Sequence, residues 1–323
     1  MANNFSRLPY EACLIPNLPE EIQNRVRDLT IYVVLPLDML LATMAFIFNA
    51  LICLSVARIK SLQRPSLLML CSLSITDLTY ALFLLYLTTK TILKEHMCIG
   101  DLDRGDTAVI ILCGLTTLGA LAVISRDRYL AVIKPIWYRN HIDTSRAIKM
   151  SCIPWIISVV MTLVHMVYVA YNSNSGKKKH LVYSIHLVYY CICFVIITSS
   201  YLGIYFKKAP TVEIREMHAV MEKEKKSTAA VRLILLTFLL TFVPALLSPI
   251  VLGLTGVENV GSYRPFLFLL FVVDAVANPL LNFGRNKDIR RAIRGLLNCF
   301  QHVEQQQQQQ ELQQQHQQQQ HQQ

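Results

Sequence analysis

Apolar residues along this chain gather into long runs separated by short segments that hold most of the charge. Seven runs stand out, at residues 31–57, 66–89, 106–133, 148–171, 182–206, 230–254 and 264–284. Each is long enough for the roughly 20 helical residues that cross a bilayer core. The predicted fold class is therefore an all-α membrane protein, a seven-transmembrane helix bundle. Proline falls inside several runs, at Pro36, Pro154, Pro244, Pro249 and Pro279. Helices in a membrane tolerate such kinks where neighbours satisfy the freed carbonyls. At the third run, Asp101, Asp103, Arg104 and Asp106 delay the hydrophobic start. Behind the seventh, Ile289, Ala292, Ile293, Leu296 and Leu297 recur at helical spacing with Arg290, Arg291 and Arg294 between them. That pattern predicts an amphipathic helix on the inner membrane surface. From Gln305 onward the chain is almost all glutamine, with His316 and His321, and has no apolar set to fold around. The expected division is an extracellular segment 1–30, a seven-span bundle 31–284, a surface helix 285–300 and a disordered cytoplasmic tail 301–323.

Composition agrees with a membrane assignment: 53% of the 323 residues are hydrophobic and 16% charged, where a soluble domain carries about 25% charged residues. The net charge of +10 does not indicate a nucleic-acid partner, because the basic residues sit in short clusters between apolar runs. Their distribution sets orientation. Segments 58–64, 134–149, 207–226 and 285–294 hold 3, 4, 6 and 5 Lys and Arg, against 3, 3, 3 and 1 in the N-terminal segment, 90–104, 177–179 and residue 264. The positive-inside rule then places the N-terminus outside and the C-terminus in the cytoplasm. Lys177, Lys178 and Lys179 argue the other way and are outnumbered. The sequon Asn4-Phe5-Ser6 fits an extracellular start. No cleavable signal pattern precedes the first run, which begins behind Glu20, Glu21 and Asp28. Cys53, Cys71, Cys113, Cys152, Cys191 and Cys193 lie within apolar runs, where packing is the default role. Cys13 and Cys98 are the two expected in an oxidising compartment, and Cys299 ends the surface helix, where acylation would add an anchor.

Chemistry concentrates at a few polar positions inside the runs. The third closes on Ser125-Arg126-Asp127-Arg128-Tyr129, charges that mark its exit from lipid. Asp127 can neutralise the adjacent Arg128, and Glu224, at the start of the sixth run, offers a second partner. Other polar or kinking positions are Asn49, Asp77 in Leu73-Ser74-Ile75-Thr76-Asp77-Leu78, Trp155, Pro244 in Phe238-x-x-x-Phe242-x-Pro244, and Asn278-Pro279-Leu280-Leu281-Asn282. Asp274 lies one helical turn before Asn278. Two neighbouring carboxylates in a membrane interior call for a cation or a shared proton.

Seven runs with these motifs in order resemble the rhodopsin-like family of G-protein-coupled receptors, over Ile31 to about Phe300. The resemblance implies a contact from Arg128 to Glu224 that holds an inactive state, and outward movement of the sixth helix that admits a heterotrimeric G protein. Asp127, Arg128, Tyr129, Tyr201, Asn278 and Pro279 would form the coupling switch. Phe238, Phe242 and Pro244 would form its toggle. Asp77, Thr117, Asp274 and Asn278, with Ser74 nearby, match the family's sodium pocket. Arrestin and membrane lipids are further implied partners.

Departures narrow the reading. Where the family carries a cysteine 25 residues before the motif arginine, this chain has Asp103, and residues 172–180 contain no cysteine to bridge it. A Cys13–Cys98 bridge is the remaining option. Cys193 replaces the usual fifth-helix proline, eight residues before Tyr201, Phe242 the toggle tryptophan, and Asn282 the closing tyrosine. The missing bridge and proline are similar to those of the melanocortin, cannabinoid and lysophospholipid receptor cluster. Ile110 stands where amine receptors have an acid, and Val272 where opsins have the retinal lysine. No cofactor beyond a sodium ion is expected, and a peptide or lipid-like ligand is favoured over an amine. Asp103 and Asp106, three apart on one face, with Glu258 in the third outer loop, could receive a basic peptide or a divalent cation, or simply complement the helix dipole. His165 and His186 could line the pocket. An enzyme is not expected, because those two histidines lack a metal-ligand spacing motif, and no internal repeat indicates a transporter. A seven-helix protein with a degenerate, non-signalling switch remains the alternative reading.

Overall fold

The computed structural model describes residues 20–93, 102–171, 176–206, 240, 244, 264–285 and 287–295. Of the sixth run only Leu240 and Pro244 are described, both helical. Glu224, Phe238, Phe242, Glu258, Asn4, Cys13, Cys98 and Cys299 lie outside the described residues, as does the glutamine-rich tail.

Among the described residues there is no strand, and six helices are long and apolar enough to cross a membrane: Asn24–Arg58, Pro65–Leu93, Arg104–Ile133, Thr144–Tyr171, Ser184–Tyr205 and Pro265–Gly284. They correspond to the first five and the seventh predicted spans and are named accordingly below. The sequence boundaries fall short mainly at the first span, whose helix begins several residues before Ile31. It runs as Glu20–Leu29, a π-helical turn Thr30–Val34, then Leu35–Arg58. Pro36 explains the wide turn. A proline ring has no N–H to donate and clashes with the carbonyl four residues back; here the Leu35 N–H reaches five residues back, to the Thr30 carbonyl. Thr30 also donates its hydroxyl to the Val26 carbonyl, at 2.7 Å.

The third span starts earlier than its hydrophobicity, at Arg104. The acids that delay the apolar run are the helix start itself. The Asp106 N–H donates to the Asp103 carboxylate at 2.8 Å, and the Asp103 N–H donates to the Asp106 carboxylate at 3.1 Å. This reciprocal cap satisfies two of the four N–H groups that every helix start leaves open.

Because lipid is as apolar as leucine, spans associate through close packing and polar contacts rather than through water expulsion. Small residues accordingly occupy the interior: Ala42, Ala45, Ala120, Ala122 and Ala275 are all buried. A methyl group on Gly119 would collide with the Tyr189 hydroxyl and lie 2.9 Å from Pro154 Cβ, so the third span touches the fourth and fifth through this glycine. Of the six described spans the third is the most enclosed, with 61% of its most apolar window buried against 22% and 17% for the fourth and fifth. Ile153, Ile156, Val160, Leu163 and Val167 form an exposed helical stripe on the fourth span, the face a lipid environment would contact. Polar threads join the rest. Asn49 donates to the Ala45 carbonyl at 2.9 Å and, across to the seventh span, to the Ala275 carbonyl at 3.0 Å. The Trp155 indole N–H donates to the Ser72 hydroxyl at 3.1 Å.

Residues 287–295 are helical after the seventh span. Ile289 and Ala292 are buried in a cluster with Ile52, Val56, Leu62 and Leu67. The apolar side of this helix thus packs on the first span and the short connection Lys60–Leu62. Arg290 donates to the Phe283 carbonyl at 3.0 Å and to the Gly284 carbonyl, satisfying the end of the seventh span.

Candidate functional site

Among the described residues, three polar clusters hold most of the predicted site residues. At one end of the third span, Asp127 and Arg128 are 1% and 4% exposed. Sequence reasoning placed these charges at an exit into water; the structure encloses them in protein. Such burial is tolerable only with full pairing. Arg128 donates through Nε to Asp127 Oδ2 at 2.9 Å, and through Nη2 to the same oxygen. The Tyr138 hydroxyl donates to the other oxygen, Asp127 Oδ1, at 2.7 Å. Tyr138 stands on the short helix Pro135–His141 that follows the span. An aromatic eleven positions away in an interfacial segment gives no sign in the sequence of which side chain it meets. Tyr129 points elsewhere. Arg126 lies over its ring at 4.7 Å, and the ring packs so tightly on Gly203 that a methyl group there would overlap it. Tyr201, two residues earlier on the fifth span, is half-buried against the core.

The second cluster lies in mid-bundle. Asp77, Asp274 and Asn278 are 3%, 1% and 2% exposed. Asn278 Nδ2 donates to Asp77 Oδ2 at 3.0 Å and reaches Asp274 Oδ2 at 3.4 Å. One amide therefore serves two acids from different spans. A small cavity with room for about one water-sized particle adjoins them, lined by Asp77, Tyr80, Ile110, Cys113, Gly114, Thr117, Phe271, Asp274 and Ala275. The structure thus brings together the four residues read as a sodium-type pocket, and adds Ile110 from the ligand-pocket set. Buried Pro279 sits within the seventh helix. Asn282, in place of an aromatic, donates to the Asn278 carbonyl at 2.8 Å and holds the same turn.

The third cluster closes the opposite end of the third span. Lys90, at the end of the second span, donates to Asp106 at 2.8 Å and to Asp103 at 3.1 Å, and its ammonium lies 5.7 Å from the Tyr86 ring centre. The Asp106 N–H, then the Lys90 ammonium, hold the Asp103 carboxyl below its ordinary range. The two acids read as open to a basic peptide or a metal are thus engaged as a helix cap and a bond to the second span. Asp106 is 4% exposed. Lys90 had been counted only as loop charge. Val272 is fully buried.

His165 and His186 do meet, across the fourth and fifth spans, stacked with ring centres 5.2 Å apart and Tyr190 next in line at 6.5 Å. They do not line the cavity beside Asp77. Pro244 is helical and exposed.

These clusters sit in a chain whose residues 48–282 match the profile of the 7 transmembrane receptor (rhodopsin family). Similar proteins include the human 5-hydroxytryptamine receptor 1E, 22% identical over 81% of this chain and 92% of the relative. The histamine H2 receptor of Cavia porcellus is 26% identical over 85% and 81%. The matched segment spans five of the six described membrane helices in full or nearly so, joins the first in its second half, and contains Asp77, Arg128 and Asn278 in their expected order. The chain belongs to the rhodopsin family of seven-transmembrane receptors, and is a multi-pass G-protein-coupled receptor rather than an enzyme.

Proposed function

We propose that this receptor, with its N-terminus outside the cell, converts binding of an extracellular ligand into activation of a heterotrimeric G protein at the Arg128 end of the third span, with arrestin as a second cytoplasmic partner. The observation that carries the reading is the enclosed Asp127–Arg128 pair with Tyr138 on its second oxygen. A buried arginine neutralised by its neighbour is held in one arrangement, and loss of that pairing would allow another. Two discrete arrangements are what a two-state switch requires. Outward movement of the sixth span, with Glu224 released from Arg128, would expose that arginine to the transducer. Recruitment of a panel of engineered G proteins to the expressed receptor tests this. Wild type is expected to recruit at least one, and Arg128→Ala to lose that recruitment; equal recruitment by both, or by neither, sinks it and favours the non-signalling alternative.

A sodium ion fits the mid-bundle cluster. Asp77 and Asp274 offer oxygen donors, the class a hard cation prefers, and the Asn278 amide that bonds both carries no charge to offset theirs. When bound, the ion would supply a compensating charge, held by Asp77, Asp274 and Thr117. Purified receptor is expected to melt at a higher temperature in sodium chloride than in N-methylglucamine chloride, and Asp77→Asn to erase the difference. No difference in wild type counts against the site.

The ligand is read as peptide or lipid-like. The similar receptors named above take 5-hydroxytryptamine and histamine by name, but Ile110 on the cavity wall supplies no acid for an amine at the position where such receptors carry one.

A further inference from the structure

Two buried histidines belong to none of the three clusters. His165 of the fourth span and His186 of the fifth have ring centres 5.2 Å apart and planes 22° apart, and Tyr190, one turn further along the fifth span, continues the stack. Ionisable side chains are rare inside a membrane, and those that are kept face the bundle interior and mark sites that use their charge. Histidine is the side chain whose ordinary titration falls in the physiological range. Two neutral imidazoles rest together at this separation without repulsion. A proton on each would set like charges side by side in a medium that screens them poorly.

The nearby acids are engaged elsewhere. The third span packs on both helices, and the charged residues at its outer end are Asp103, Arg104 and Asp106. The two acids are held by Lys90 and by the helix cap, and Cys113, further along, faces the cavity beside Asp77. Tyr168 on the fourth span, and Tyr189 and Tyr190 on the fifth, belong to a residue type that titrates near pH 10, about three units above histidine. The pair's position also ties it to the switch. With the N-terminus outside, the connection between the fourth and fifth spans faces out, and the two histidines lie roughly two to three turns from it. The fifth span that carries His186 also carries Tyr189, whose hydroxyl donates to the Leu115 carbonyl of the third span at 3.2 Å. Further along it carries Gly203, packed on the Tyr129 ring beside Arg128. A shift of this helix at His186 therefore reaches the neighbour of Arg128.

We infer that His165 and His186 form a proton-binding site, at which acid outside the cell parts the fourth and fifth spans and favours the G-protein-coupling arrangement. This goes beyond the proposed function and rests on its two-state switch. The arrangement with the rings together and Arg128 paired is the neutral, resting one. Each imidazole takes a proton from hydronium in the outer solution onto its unprotonated ring nitrogen, leaving water, and the imidazolium then has two N–H groups to satisfy. The buried Thr162 hydroxyl, one turn from His165 on the same face, has no hydrogen-bond partner in the resting arrangement and supplies an acceptor once the rings part.

Two measurements on the full-length receptor test this, each taken from about pH 8 to about pH 5.5, a range that brackets the ordinary histidine value. The first is ligand-free G-protein recruitment in intact cells, read by energy transfer as the outer buffer is acidified. The second is the melting temperature of the purified receptor. Recruitment by wild type is expected to rise about three- to tenfold, the scale of up to a one-unit difference in proton affinity between two arrangements. The double variant His165→Phe/His186→Phe is expected to show no such rise. Proton uptake disfavours the neutral pair, so the melting temperature of wild type should fall further than that of the double variant as pH drops through about 6.5. Should the double variant not fold, His165→Gln and His186→Gln are each expected to show a smaller rise in recruitment and a smaller fall in melting temperature than wild type. Recruitment that stays level or falls with acid in a receptor that couples, an acid response kept in full by the variants, or equal loss of melting temperature in wild type and variants overturns the inference. If no form recruits at any pH, the G-protein reading fails, and the melting comparison still decides whether the pair binds protons.

Discussion

At the scale of single residues, the enclosed arginine depends on one hydroxyl that no motif names. Tyr138 gives Asp127 its second hydrogen bond, and a hydrogen bond to a charged group contributes about 1.5–3 kcal/mol. Tyr138→Phe removes that bond while keeping the ring, which loosens Asp127 and with it the hold on Arg128. Basal recruitment of G protein is expected to rise roughly three- to tenfold over wild type, measured by energy transfer in cells at matched surface expression; no rise would show that the bond does not restrain the switch. Gly119 makes a second prediction. A methyl group there lies 2.9 Å from Pro154 and overlaps the Tyr189 hydroxyl, and overpacking of a core costs about 1–3 kcal/mol. Gly119→Ala is expected to lower the melting temperature by several degrees, without changing ligand selectivity. Neither residue announces itself in the sequence. A tyrosine in an interfacial segment and a glycine in an apolar run are both ordinary, and their partners lie on other helices.

At the scale of elements, the second and third spans are joined by an ion pair at the end opposite Arg128. Asp103 stands where the family's bridging cysteine would be, and instead caps the helix and meets Lys90. The cap was half legible. Acids three apart at the head of an apolar run suggested a dipole interaction, but the lysine thirteen residues back could be found only once the two spans were packed. The sign of the pH dependence follows from the lowered Asp103 carboxyl. Its contribution to stability is complete above the ordinary carboxylate value of about 4 and is lost as pH falls through the lower folded value. The melting-temperature gap between wild type and Asp103→Ala should therefore be constant near neutrality and shrink as pH falls below about 4. A gap independent of pH would show that Asp103 acts without its charge. Lys90→Met should destabilise the receptor, and less so when Asp106→Asn is also present, because the two act as a pair.

At the scale of the whole molecule, the arrangement of spans separates a tightly packed centre from a lipid-facing exterior. The third span is the hub and the fourth and fifth lie at the margin. Orientation belongs to this scale too, since it is set by loop charge summed over the chain. An epitope tag at the N-terminus is expected to bind antibody on intact cells, and a C-terminal tag only after permeabilisation; the reverse would overturn the placement of Arg128 on the cytoplasmic side. The helix after the seventh span shows where sequence periodicity stops. Ile289 and Ala292 predicted an apolar face turned towards lipid, and the structure gives both to the first span. An amphipathic pattern states that a face will be covered, without naming the cover.

What the sequence determined by itself was the fold class, five of the spans nearly to their ends, the family, and the identity of most polar positions that matter. These follow from local rules: run length against bilayer thickness, caps, prolines and charge in connecting segments. What only the tertiary structure decided was which of those polar groups meet. Asn278 and Asp77 are 201 residues apart in the chain and 3.0 Å apart in space. Asp127 lies with Tyr138, Lys90 with Asp106, and His165 with His186. The reason is geometric. Helical periodicity fixes which face of a span a side chain occupies, but in a solvent as apolar as the spans themselves, close packing chooses the facing partner.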